Sequence, residues 1–154
     1  MIKQAPRKLD NAFLSKVIAK FFKSNAVYRI LGASKAGDVG PFDGGCLICA
    51  QAILAAMADG AVVRVWSPVN GGQTEHYGVQ IQGIVFDAGG QYASPAAWVK
   101  HVAEDTFITD RKPVFKTGYD PKWETSTDIV SDLVAAKKMA ALLRAYLVKN
   151  GVSL

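Results

Sequence analysis

Reactive side chains are scarce in this chain of 154 residues, which holds two cysteines and two histidines. Cys46 and Cys49 lie three apart on one predicted helix, where adjacent turns give poor geometry for a structural disulfide. Both are therefore expected to be reduced thiols, as in a cytoplasmic protein. The first residues, Met-Ile-Lys-Gln-Ala-Pro-Arg-Lys, contain neither an apolar segment nor a small-residue cleavage site, so no signal peptide is expected. No apolar run approaches the ~20 residues that a membrane-spanning helix requires. There is no basic run, Arg-Gly-rich tail or zinc-finger spacing, which leaves nucleic-acid binding unsupported. Internal repeats and low-complexity segments are also absent.

What remains is an ordinary globular composition. Half of the residues are hydrophobic and a fifth are charged, enough apolar surface for one folded domain over residues 1–154, with 1–9 as a loose lead-in. The net charge is +5, with a mild concentration of lysine and arginine in the first 35 residues. That pattern reads as a solvated helix face and permits an acidic substrate or partner.

Periodicity sets out the elements. Asp10 or Asn11 can cap a helix reaching about Lys23, with Phe13, Leu14, Val17, Ile18 and Phe21 on one stripe. Val27–Leu31 reads as a short strand, and Gly32–Gly45 as a loop rich in glycine. The β-rich run Ala61–Trp66 ends at Ser67-Pro68. His76–Gln82 alternates, Gly83 turns, and Ile84–Asp87 follows, which predicts a hairpin pairing Val79 with Phe86. Ala88-Gly-Gly90 ends it. Ser94 and Pro95 open a helix over Ala96–Glu104. Phe107–Phe115 is expected to hold a strand or two. Thr125–Asp128 resembles a capping box opening a long helix to Asn150, with Ile129, Leu133, Ala136, Ala140, Leu143 and Leu147 as its packing stripe. That apolar helix is also the candidate surface for a homodimer or protein partner.

Residues 42–60 carry the chemistry. Gly44 and Gly45 make a tight corner, and Cys46 opens an apolar helix closed by Gly60. A thiol at a helix N-terminus meets unpaired N–H groups and the positive end of the dipole, which favour its thiolate. The same N–H groups are donors for an oxyanion. His76, on the strand after a Gly-rich loop, is the candidate base. Asp87 ends the next strand near the position opposite Gly78, from which its carboxylate can reach the imidazole diagonally. Nucleophile, base and orienting carboxylate follow in that order of dependence. Asn25, Tyr28 and Gln51 are candidates for a further oxyanion donor. Cys49, one turn deeper, and His101, within the Ala96–Glu104 helix, read as ordinary packing and helix residues. Asp87 has a second reading as the residue that caps the Ala88-Gly-Gly turn.

The order Gly45-Cys46, strand Ala61–Trp66, Glu75-His76-Tyr77-Gly78-Val79, then Val85-Phe86-Asp87-Ala88 resembles the papain-like superfamily, in particular its transglutaminase-like and NlpC-like cores. The resemblance implies an α+β fold in which the cysteine helix packs on a small antiparallel sheet, with additional N- and C-terminal helices. It also implies thiol chemistry on a peptide, isopeptide or other amide substrate, as a cysteine peptidase or amidase or as an acyltransferase, with Cys46, His76 and Asp87 as the catalytic set. No metal or organic cofactor is required by that chemistry. Two other classes compete. Cys46-Leu-Ile-Cys49 matches the Cys-X-X-Cys of a dithiol oxidoreductase, and the scaffold can instead serve as a non-catalytic binding or inhibitor module. A zinc site from both Cys and both His would need its thiolates on loops rather than on a helix.

Overall fold

The computed structural model describes residues 12–122 and 129–154. The expected lead-in, the Asp10 or Asn11 cap and the Thr125–Asp128 capping box lie outside these residues. The described chain combines five α-helices with one five-stranded antiparallel sheet, an α+β arrangement.

Its centre is helix α3, Cys46–Met57, whose sequence CLICAQAILAAM is apolar all round. Such a helix must be covered on every side. The sheet covers one side through its strands Gln73–Ile81 and Ile84–Asp87, and the C-terminal helix α5, Leu133–Lys149, covers the other. The expected α5 stripe is largely in place, with Ala136, Ala140, Leu143 and Leu147 buried against the core and Ala135 and Met139 beside them. The start of α5 differs from expectation. Asp132 caps it by accepting from the Ala135 N–H at 3.0 Å, so Ile129 precedes the helix and Leu133 is half exposed. The buried stripe of α5 packs within the chain, and Leu133, Val134, Leu142 and Val148 are the large exposed hydrophobics of the helix.

Two N-terminal elements depart from the sequence reading. Helix α1, Ala12–Phe22, buries Leu14, Val17, Ile18, Phe21 and Phe22, but Phe13 is exposed. The buried stripe begins at Leu14, and a residue one step earlier points ~100° away from it. Val27–Leu31 is helical and belongs to α2, Asn25–Gly32. A strand would set Arg29 on the same face as Val27 and Leu31. The helix buries Val27 and Leu31, four apart, and leaves Arg29 in solvent.

The strands are β1, Ala61–Ser67; β2, Gln73–Ile81; β3, Ile84–Asp87; β4, Gly90–Tyr92; and β5, Val114–Thr117, in the order β4-β3-β2-β1-β5. The hairpin has the expected register, pairing Val79 with Phe86, Gln80 with Val85 and Ile81 with Ile84. Both turn residues, Gln82 and Gly83, have positive φ, as a tight two-residue hairpin turn of matching twist demands. Strand β2 starts before His76, so the histidine lies within the strand rather than at its head. Asp87 pairs with Gly90, which makes Ala88-Gly89 a turn into β4, a strand the sequence reading omitted. Only part of 107–115 is strand: Thr109–Arg111 is a 3-10 turn, and β5 begins at Val114.

Helix α4, Pro95–Asp105, forms where expected, with the Ser94 hydroxyl accepting from the Ala97 N–H at 3.1 Å. It covers the sheet face opposite α3, packing Trp98, Val102 and Ala103 on Val63, Val65 and Val85. Among the described residues no helix is long and apolar enough to cross a membrane.

Candidate active site

Cys46, His76 and Asp87 come from three elements and meet in the interior, with exposures of 3%, 5% and 3%. The loop before α3 sets the position of Cys46. Its turn folds onto one acceptor, the Gly40 carbonyl, which receives the N–H groups of Asp43 and Gly45, both at 3.1 Å. Gly44 has φ +91°, a left-handed conformation that favours glycine. A side chain at Gly45 would place its Cβ 2.7 Å from the Gly40 oxygen and 3.0 Å from Leu31. The glycine pair therefore makes the corner that delivers Cys46 into the first turn of α3, where N–H groups lack intrahelical partners.

His76 is aimed by an irregularity in β2. Val65 pairs with His76 but Trp66 pairs with Thr74, so Glu75 is an extra residue, a β-bulge directly before the histidine. Bulges twist a strand locally and re-aim its side chains. The Glu75 carboxylate is held by Ser67, Gln73 and Arg111, which fixes the bulge. Imidazole Nε2 then donates to Asp87 Oδ2 at 3.0 Å, and the Cys46 thiol lies close enough to the ring to act on its protonation. With Nε2 committed to the carboxylate, Nδ1 is the nitrogen left for sulfur.

Asp87 is saturated with donors. Oδ2 also accepts from the Trp98 indole Nε1–H at 2.9 Å, and Oδ1 accepts from the Gly89 N–H at 2.8 Å. The Tyr92 hydroxyl lies beside the same turn, next to Gly89 and Asp87 Oδ1. Asp87 thus caps the turn into β4 and orients the histidine at once; the two readings are not alternatives. The indole reaches Asp87 only because position 78 is glycine, since a Cβ there would lie 2.8 Å from Trp98 Cζ2. Trp98 is fully buried against His76, their ring centroids 5.9 Å apart.

The electrostatics follow from this packing. Burial alone would push the His76 imidazolium down, but the hydrogen bond to Asp87, the Cys46 sulfur beside the ring and the charges on both outweigh it, raising His76 to about 10. Burial likewise opposes ionisation of Asp87, and the bonds from His76, Trp98 and Gly89 hold its carboxyl below the ordinary value. Burial, then the Asp87 charge, pushes the Tyr92 hydroxyl up. Burial, then the charges of Cys46 and Asp87, pushes Cys49 up, as for a core thiol rather than a resolving one.

The remaining candidates lie apart from this cluster. Gln51 exchanges hydrogen bonds with Ser131 at 3.1 and 3.3 Å, which occupies the amide that a further oxyanion donor would need. Asn25 is exposed at the start of α2, and Tyr28 is half exposed with its ring against Gly40. His101 is exposed on α4, its ring 5.0 Å from Tyr92. Among the described residues no group of three His, Cys, Asp or Glu side chains is placed to hold a metal ion. Trp98, Tyr92 and Phe42 were missed from the sequence. A glycine two residues after the histidine, with a tryptophan on the covering helix, was the available signal for the first.

Trp98→Phe keeps an aromatic ring at the site but deletes the donor to Asp87 and part of a fully buried side chain. A hydrogen bond to a buried charge contributes about 1.5–3 kcal/mol, and the cavity adds to it, so urea denaturation of the variant should show a loss of at least that size.

No family model matches the sequence, and no curated protein or solved structure matches the chain.

Proposed function

We propose that this protein is a thiol-dependent hydrolase of an amide, peptide or isopeptide bond, built on a papain-like, transglutaminase-type core. The observation that carries the reading is the buried cluster in which the His76 imidazole bonds the Asp87 carboxylate with the Cys46 thiol beside it. The Cys46 sulfur attacks the carbonyl carbon, forming the S–C bond, while the N–H groups at the start of α3 stabilise the oxyanion. The C–N bond then breaks, and the proton held by His76 passes to the departing amine. Water, deprotonated by His76, cleaves the thioester and restores the thiol. Asp87 keeps Nε2 protonated, so that Nδ1 faces the reaction in both halves. Hydrolysis is preferred to acyl transfer because it needs no second substrate site.

The test uses p-nitrophenyl acetate, an activated acyl donor that requires no knowledge of the natural substrate. Wild type should release a burst of one nitrophenolate per chain, with the acetyl group mapped by mass to Cys46, followed by slower turnover. Cys46→Ala should give no burst. An acetyl group found elsewhere, or no acylation of Cys46 in the folded protein, overturns the reading.

A further inference from the structure

His76 is flanked by two rings, and only one has a part in the relay described above. On the inner side stands Trp98, fully buried and bonded to Asp87. On the other side the Phe42 ring is stacked on the imidazole, with centroids 5.7 Å apart and planes inclined by 19°. Phe42 is 52% exposed, so it buries little of itself and forms the solvent side of the sandwich. Its ring tip also reaches over Gly89, where it would lie 3.4 Å from an added Cβ, and Gly89 is the residue whose N–H holds Asp87 Oδ1. A half-exposed phenyl group therefore spans the histidine and the turn that grips its carboxylate.

We infer that Phe42 is a positioning residue for His76, covering the His76–Asp87 hydrogen bond against water and holding the imidazole plane in line with the carboxylate. The role rests on the proposed relay, since the bond it guards is the one that orients the base. Burying the ring by itself disfavours the imidazolium, and three physical effects of Phe42 act against that. Excluding water strengthens an ion-paired hydrogen bond. A phenyl face against a protonated imidazole stabilises the cation. The stacked Phe42 ring, with Trp98 packed against the imidazole at a tilt of 45°, removes ring rotations that would misdirect Nδ1. The loop geometry suits this role. The turn closing on the Gly40 oxygen fixes Phe42 two residues before the Gly44-Gly45 corner, so the shield and the nucleophile are set by one piece of backbone.

The charges around the ring are few. Asp87 from β3 bonds the imidazole directly and Cys46 from α3 lies beside it, while Tyr92 from β4 and Cys49 from α3 are near enough to feel the Asp87 charge. Phe42 adds no charge, and its removal changes solvation and ring contact alone.

The chain has two histidines, which makes the imidazole itself readable by proton NMR. His101→Gln serves as the background, leaving His76 as the single titrating ring. In that background Phe42→Ala should lower the His76 midpoint by about one pH unit, a tenfold loss of proton affinity. It should also broaden away the downfield Nε2–H resonance through exchange with water. Phe42→Tyr, which retains the ring, should restore both. Gly45→Ala displaces the loop through its clash with the Gly40 oxygen and should reproduce the alanine result without touching Phe42. A midpoint and N–H resonance unchanged in Phe42→Ala overturn the inference. So does an unchanged midpoint with faster Cys46 alkylation, which would make Phe42 a gate. These readings do not depend on acyl chemistry: no burst with p-nitrophenyl acetate but a shifted midpoint would sink the hydrolase reading while leaving the shield in place.

Discussion

Replacing His76 with alanine should cost the proposed activity about 10²–10⁴-fold, the usual contribution of a general acid–base. In the proposed relay the imidazolium persists to about 10, so a positive charge and a proton donor stand beside the sulfur throughout the neutral range. The alanine variant has neither. Turnover of p-nitrophenyl acetate should fall by that factor, and iodoacetamide at pH 7 should alkylate Cys46 more slowly than in wild type, because the sulfur has lost the base that takes its proton. Equal alkylation rates in the two proteins would mean that His76 does not govern the sulfur.

Removing the Asp87 carboxylate should have the largest effect on stability. Asp87→Ala strands a buried imidazolium and orphans donors from Trp98 and Gly89. Breaking one side of a buried ion pair costs about 3–5 kcal/mol, which urea denaturation at pH 7 would measure. The pH dependence has a definite sign. His76 is raised when folded, so its contribution is complete below about 6.5, its unfolded value, and is lost as pH climbs through about 10. Asp87 is lowered when folded, so its contribution is present above its unfolded value near 3.8 and is lost as pH falls through the folded one. The gap in stability between wild type and Asp87→Ala should thus be widest in the neutral range and close toward both extremes. A gap that stays constant with pH would show that the variant loses packing rather than a charge pair.

The regions where sequence reading and structure agree share a feature: local pattern decides them. The α3 helix announces itself by an apolar run between glycines, α4 by Ser94-Pro95, and the hairpin register by a turn at Gln82-Gly83 flanked by alternating residues. That register by itself carries Asp87 to the side of His76, because a two-residue turn leaves antiparallel partners no freedom. Where the reading failed, two local signals were nearly balanced. Val27–Leu31 has the β-branched and aromatic content of a strand, and only the burial of Val27 and Leu31 under tertiary contact makes it a helix.

Legible in the residues alone is the inventory and its order: one cysteine at a helix start, one histidine on a strand, one carboxylate at the end of the strand beside it. How these three are served was settled by the packing of distant elements. The bulge at Glu75 aims the histidine, Trp98 fastens the carboxylate from a helix further along the chain, and Phe42 stacks on the imidazole. Periodicity reports which face of an element is buried, but it carries no record of which distant side chain arrives there. A donor for Asp87 needs a matching void at Gly78, and that complementarity exists only once helix α4 has packed on the sheet.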